Sequence, residues 1–124
     1  MRNDPECVKN FAIICAAEAT GILPDELFIH TSCRKVAHAR FLAMACMYKY
    51  SEMKQKQIAE AFGCVSRVSV GEGIKMVRDK IRMYNKYGYA TELVKKYKIC
   101  EGMMRKEFKP RCWANVPELE FHYK

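Results

Sequence analysis

The chain has 124 residues, half of them hydrophobic, and carries 22 Lys and Arg against 14 Asp and Glu, a formal charge of +8 with a pI near 9.2. That length gives one domain with its own core and leaves no room for a separate nucleotide-driven motor, and the apolar content excludes a disordered basic tail. A foldable basic domain directs attention to polyanions as partners. The charge is unevenly placed: residues 1–29 hold two basic and five acidic side chains, net −3, so the rest of the chain carries +11.

Met1 and Arg2 ahead of the apolar run Phe11 to Ala17 imitate a signal peptide, but Asp4 and Glu6 stand where such a leader carries positive charge. Asp4 followed by Pro5 is instead a helix start. Val8, Phe11, Ala12, Cys15 and Ala19 recur at helical spacing and Gly21 follows, which predicts a helix over about 5–20. Leu23 to Phe28 reads as a short helical turn that sends Leu27 and Phe28 into the core. A polar entry, His30 to Lys35, leads to a second helix over about 32–50, with Val36, Ala39, Ala43, Cys46, Met47 and Tyr50 on one face.

Lys54 to Phe62 is a short helix that buries Ile58 and Phe62. Gly63-Cys64-Val65 is a tight turn, and Ser66 is an N-cap for the helix that follows. From Ser66 to about Lys86, Val70, Ile74, Val77, Ile81 and Tyr84 line one side while Arg67, Lys75, Arg78 and Arg82 share the other. Gly71 and Gly73 inside this helix either permit the close approach of a neighbour or leave the helix soft, since each costs about 1 kcal/mol relative to Ala. A last helix spans Thr91 to Phe108. The class is therefore all-α, a helical domain over 1–108 followed by an extended tail over 109–124 that contains Pro110 and Pro117.

The remaining features are mostly structural. Seven widely spaced cysteines form no C-x-x-C pair, and three lie within apolar helical runs, so they read as reduced core thiols of a cytosolic protein. No cofactor is expected, and no metal, because the histidines show no ligand spacing with the cysteines. No stretch approaches the ~18 apolar residues of a membrane span. The methionines and Tyr48, Tyr50, Tyr84 and Tyr87 are expected in the core or at helix seams. In the tail, Trp113 and Phe121 are expected to fold back over an apolar patch, the sharper alternative being that the tail binds a protein partner.

A short helix, a Gly-containing turn and a longer helix that opens with small polar and basic residues is the helix-turn-helix plan. In that plan the second helix sets its first turn in the major groove of duplex DNA while the first crosses the backbone. Ser66, Arg67, Val68 and Ser69 are then the reading turn. Arg67 suits a bidentate contact to guanine, Val68 a thymine methyl, and either Ser a base or a phosphate.

Ile58-Ala59-Glu60-Ala61-Phe62-Gly63, then Ser69-Val70 and Lys75, resemble the C-terminal DNA-binding domain of the bacterial replication initiator DnaA, a relative of the Trp repressor fold. The resemblance extends upstream through Ile22 to Phe28 and through Arg34-Lys35-Val36-Ala37-His38-Ala39-Arg40, which is similar to that family's basic loop, so residues from about 8 to 85 are covered. It implies that Arg34 enters the minor groove, that Arg40 lies near the backbone, and that Lys54, Gln55 and Lys56 touch DNA from the first helix of the motif; phosphate clamping is then expected of Lys35, Arg40, Lys54 and Lys56. Where the family carries Gly-Arg-Asp-His-Thr-Thr, this chain has Cys64-Val65-Ser66-Arg67-Val68-Ser69, so the Asp-His pair that reads the initiator's DNA box is missing. The expectation is therefore a non-enzymatic duplex-DNA binder with its own site preference, acting in replication initiation, its control or transcription, in the cytoplasm of a bacterium or encoded by its phage or mobile element. The alternative is a protein-interaction module that keeps the initiator-like fold.

Overall fold

The computed structural model describes residues 4–29, 33–63, 65–109 and 116–117. Among these residues five α-helices follow one another, α1 (Pro5–Thr20), α2 (Arg34–Tyr50), α3 (Gln55–Phe62), α4 (Arg67–Tyr87) and α5 (Glu92–Glu107), with a 3-10 helix, Pro24–Phe28, between α1 and α2. No strand occurs among the described residues, and the fold is all-α.

The helix ends are written in the local sequence. Asp4 accepts the Cys7 amide at 3.2 Å and Pro5 occupies the first helical position, while Gly21 closes α1 at φ 73°. Glu26 Oε1 takes the Leu23 amide ahead of the 3-10 helix, and Gln57 Oε1 takes the Lys54 amide ahead of α3. Gly63 ends α3 at φ 72°, a left-handed conformation that a side chain at that position would strain.

Helix α2 is the axis of the molecule, because all four other helices and the 3-10 helix pack on it. Its predicted apolar face is buried as expected, but Leu42, Met44, Ala45 and Lys49 are buried too, so the burial runs around nearly the whole circumference. Val8, Ala12, Cys15 and Ala16 of α1, Val70, Ile74, Val77 and Ile81 of α4, and Leu93, Tyr97, Cys100 and Met104 of α5 complete one core. Leu27 joins that core. Phe28 departs from its expected place: it remains 40% exposed and lays its ring 5.7 Å from Phe62, where it supports the end of α3.

Gly73 resolves the choice left by the sequence. A Cβ there would stand 2.6 Å from Phe41 Cδ1 and 3.2 Å from Met44 Sδ, so its absence is what lets α4 seat against α2. At Gly71 the neighbour is Gln55, whose Oε1 lies 3.0 Å from the position a Cβ would take. Val116 is buried in the core, so the chain returns to the helices after α5, whereas Trp113 and Phe121 lie outside the described residues. No described helix is long and apolar enough to cross a membrane.

A buried polar network joins α2 to α5. The Lys49 ammonium, 1% exposed, forms an ion pair with Glu101 and donates to Tyr97 Oη at 3.2 Å. Tyr50 Oη and Arg105 Nη2 donate to the same Glu101 oxygen, at 3.1 and 2.7 Å. Burial raises the pKa of Glu101, but the hydrogen bonds and charges of Lys49 and Arg105 outweigh it and hold this carboxyl below its ordinary value. Beside the network, the Cys46 and Cys100 sulfurs stand 3.6 Å apart, and burial pushes the Cys15 thiol up to about 12. The Cys46 sulfur and burial raise the Cys100 thiol as well, so Cys15 and Cys100 are core thiols with little thiolate character.

Candidate nucleic-acid interface

The N-terminus of α4 is built by Ser66. Its Oγ accepts the Ser69 amide at 3.1 Å and donates to Ser69 Oγ at 3.2 Å, so the two serines hold the first turn in shape. Arg67 and Val68, between them, are exposed, Val68 at 67%. A side chain that open contributes nothing to the core and stands in solvent at the head of the helix. The first amides of a helix lie outside its own hydrogen-bond ladder and carry partial positive charge, to which the Arg67 guanidinium adds.

Around this turn a groove of about 640 Å³ is lined by Tyr48, Glu52, Met53, Lys54, Gln55, Lys56 and Arg67. Four residues chosen on sequence grounds from two segments, Lys54, Gln55, Lys56 and Arg67, thus share one concavity. Gln55 is half-buried against α4 over Gly71, while Lys54, Lys56 and Arg67 are exposed and free to reach outward. Tyr48, Glu52 and Met53 were not among the residues expected at DNA. Glu52 puts one acid in the wall, so phosphate is favoured at the cationic rim and not at the floor.

Lys75 is exposed two turns further along α4. Arg34 and Lys35 are exposed at the N-terminus of α2, away from the groove: with His38, Leu42, Leu93 and Lys96 they line a second cleft of about 600 Å³ between α2 and the start of α5. The two clefts sit toward opposite ends of α2, whose 17 residues span about 25 Å at 1.5 Å per residue. Burial, then the charges of Arg34 and Lys80, lower the pKa of His38, so this imidazole is neutral at neutral pH. The part of the basic stretch over 30–32, and Cys64 in the turn, lie outside the described residues.

Arg40 requires a correction. The sequence reading puts it near a DNA backbone, but it is 6% exposed and its Nη1 donates to the carbonyls of Ile29 at 2.7 Å and Leu27 at 3.3 Å. It ties the end of the 3-10 helix to α2 and has no path to a phosphate. The signal was present in the periodicity, since Arg40 stands four residues after Val36 and three before Ala43, on the buried face. Lys49 is concealed in the same way, three residues after Cys46 and four after Ala45.

Of the four tyrosines expected in the core or seams, Tyr50 is fully buried, Tyr48 and Tyr84 are half-buried, and Tyr87 stays 67% exposed. Compared with protein-family models and with curated protein sequences, the chain matches none.

Proposed function

We propose that this chain binds double-stranded DNA with a sequence preference, using α3, the turn and α4 as a helix-turn-helix of the Trp-repressor-like and DnaA C-terminal kind, and that it is not an enzyme. The observation that carries this reading is the convergence of Lys54, Gln55, Lys56 and Arg67 on one groove at the positive end of α4. Arg67 and Val68 read base edges in the major groove. Ser66 and Ser69 hold the turn that presents them, and Lys54, Lys56 and Lys75 contact phosphates. Arg34 and Lys35 form a separate basic site at the other end of α2, suited to the neighbouring minor groove and its backbone. Arg40 is left out of the contact set, as a residue of the fold.

Selection from a random duplex library, read by sequencing, tests the class and the site together. The expected result is an enriched motif whose affinity falls steeply with salt, as phosphate contacts require. Against that motif, Arg67→Ala is expected to cost about 1–3 kcal/mol and to relax preference at one base pair, whereas Lys56→Ala weakens all sequences alike. Unchanged affinity and preference in Arg67→Ala would remove the reading turn from this mode of recognition. An absence of duplex binding even at low salt would favour the protein-interaction module instead.

A further inference from the structure

Helix α4 carries six basic residues and just two acids, Glu72 and Asp79, seven residues apart. Both acids line a shallow groove of about 320 Å³ on the outer side of the helix, together with Lys75, Met76, Lys80 and Met83. Met76 and Met83 are again seven residues apart, and each is 38% exposed. Tyr87, 67% exposed with the Lys86 ammonium 5.2 Å from its ring centre, extends the same stripe. On a molecule of charge +8 this strip alternates acid, thioether and base.

The order of that alternation is self-complementary. We propose that α4 pairs antiparallel with α4 of a second copy of this chain, about a two-fold axis midway between Asp79 and Lys80. Positions equidistant from that axis then face each other. Asp79 meets Lys80 of the second copy, Met76 meets Met83, and Glu72 meets Tyr87 with Lys86 beside it, each contact occurring twice as an isologous interface demands. Among the described residues Asp79 has only a long contact, 3.9 Å from Arg78 Nε, so it is available to a better-placed cation. A parallel pairing would set like on like and lacks this match.

The pairing rests on the stripe alone, but it has a consequence for the DNA reading proposed above. Val68 lies about a sixth of a turn and Arg67 nearly half a turn around α4 from the stripe, on the same side of it, so the reading turn is centred about a quarter turn away and pairing leaves it uncovered. Both residues stand about twelve residues from the axis, which puts the two reading turns about 36 Å apart at 1.5 Å per residue. One turn of B-DNA separates successive major grooves on one face by about 34–36 Å. A pair of chains would therefore read a two-fold symmetric site with half-sites one helical turn apart.

The contact is small, so self-association is expected to be weak and is best measured by analytical ultracentrifugation of the full chain from about 1 µM to 1 mM, without DNA. The expected result is a monomer–dimer equilibrium. Asp79→Lys and Lys80→Asp each set like charges across the axis and are expected to weaken it about tenfold or more, while the double exchange D79K/K80D restores it. Met83→Lys, which does not involve Lys80 or its neighbour His38, gives the same weakening by an independent route. A chain that stays monomeric throughout, or a dimer indifferent to all these changes, overturns the pairing. A dimer that responds to the exchanges but binds no duplex upholds the pairing and refutes the DNA reading alone. Conversely, a selected motif without two-fold symmetry, bound by a chain that never associates, refutes the pairing alone.

Discussion

Lys49 and Arg40 are basic residues that the fold has taken out of solvent, and the two are satisfied in different ways. Arg40 meets neutral carbonyls, whereas Lys49 meets a carboxylate that also receives Tyr50 and Arg105. Removing one member of a buried ion pair leaves the other uncompensated, at a cost of about 3–5 kcal/mol. Lys49→Met is therefore expected to lower unfolding stability by an amount in that range, read by urea denaturation. Adding Glu101→Leu to Lys49→Met should recover much of the loss, since Arg105 is half-exposed and can turn to water. Equal losses in the single and double variants would show that Lys49 contributes by packing and not by charge. Neither residue was legible as buried from its type alone, and the helical period that places them on the inner face was the cue.

At the scale of elements, the sequence was most informative where a helix begins or ends. Asp4-Pro5, Gly21, Gly63, Ser66 and Thr91 all act where their chemistry predicts, with the Thr91 hydroxyl accepting the Val94 amide at 3.3 Å. Legibility failed where it depended on neighbours: Phe28 rests on Phe62 and not in the core because α3 lies beside the 3-10 helix, a tertiary fact with no local mark. Glycines inside helices pose the same problem, and the structure separates them. Gly73→Ala gains about 1 kcal/mol of helix propensity but drives a methyl group into Phe41, and overpacking of that kind costs about 1–3 kcal/mol. At Gly102, in α5, nothing lies within 4 Å of the place a methyl group would take, so Gly102→Ala keeps the propensity gain. Thermal melts should move in opposite directions, down for the first and up for the second.

For the whole molecule, two groups among the described residues whose pKa values fall on folding, His38 and Glu101, give stability an acid limb with two steps. His38 has its pKa lowered from 6.5 on folding, so the unfolded chain takes up that proton first and stability is lost as pH falls below about 6.5. Glu101 has its pKa lowered from 4.5, and the stability of its ionised form, present above that value, is lost as pH falls through the folded one. Urea midpoints measured from pH 8 to pH 3 should drop in both intervals, and His38→Gln should flatten the upper one only. The two groups lie apart, one at the start of α2 and one paired with its end, so their losses should add. The site was legible in part: Arg67 followed from the helix-turn-helix plan and Lys54 and Lys56 from the family resemblance, but that they share a groove with Tyr48, Glu52 and Met53 depends on how α2 delivers the chain to α3.

Helix α2 carries one basic site at its first turn and reaches the other just past its last, and its burial against every other helix makes it a stiff rod. Both the distance and the angular phase between the two sites are then fixed before any ligand arrives. A flexible connection of the same span would have to be ordered on binding, with an entropic penalty for each residue immobilised. Here that ordering has already occurred during folding, so a second contact adds its full strength to the first. On the proposed DNA reading the helix acts as a ruler, and a duplex is accepted by both sites only where its own spacing fits the graduation.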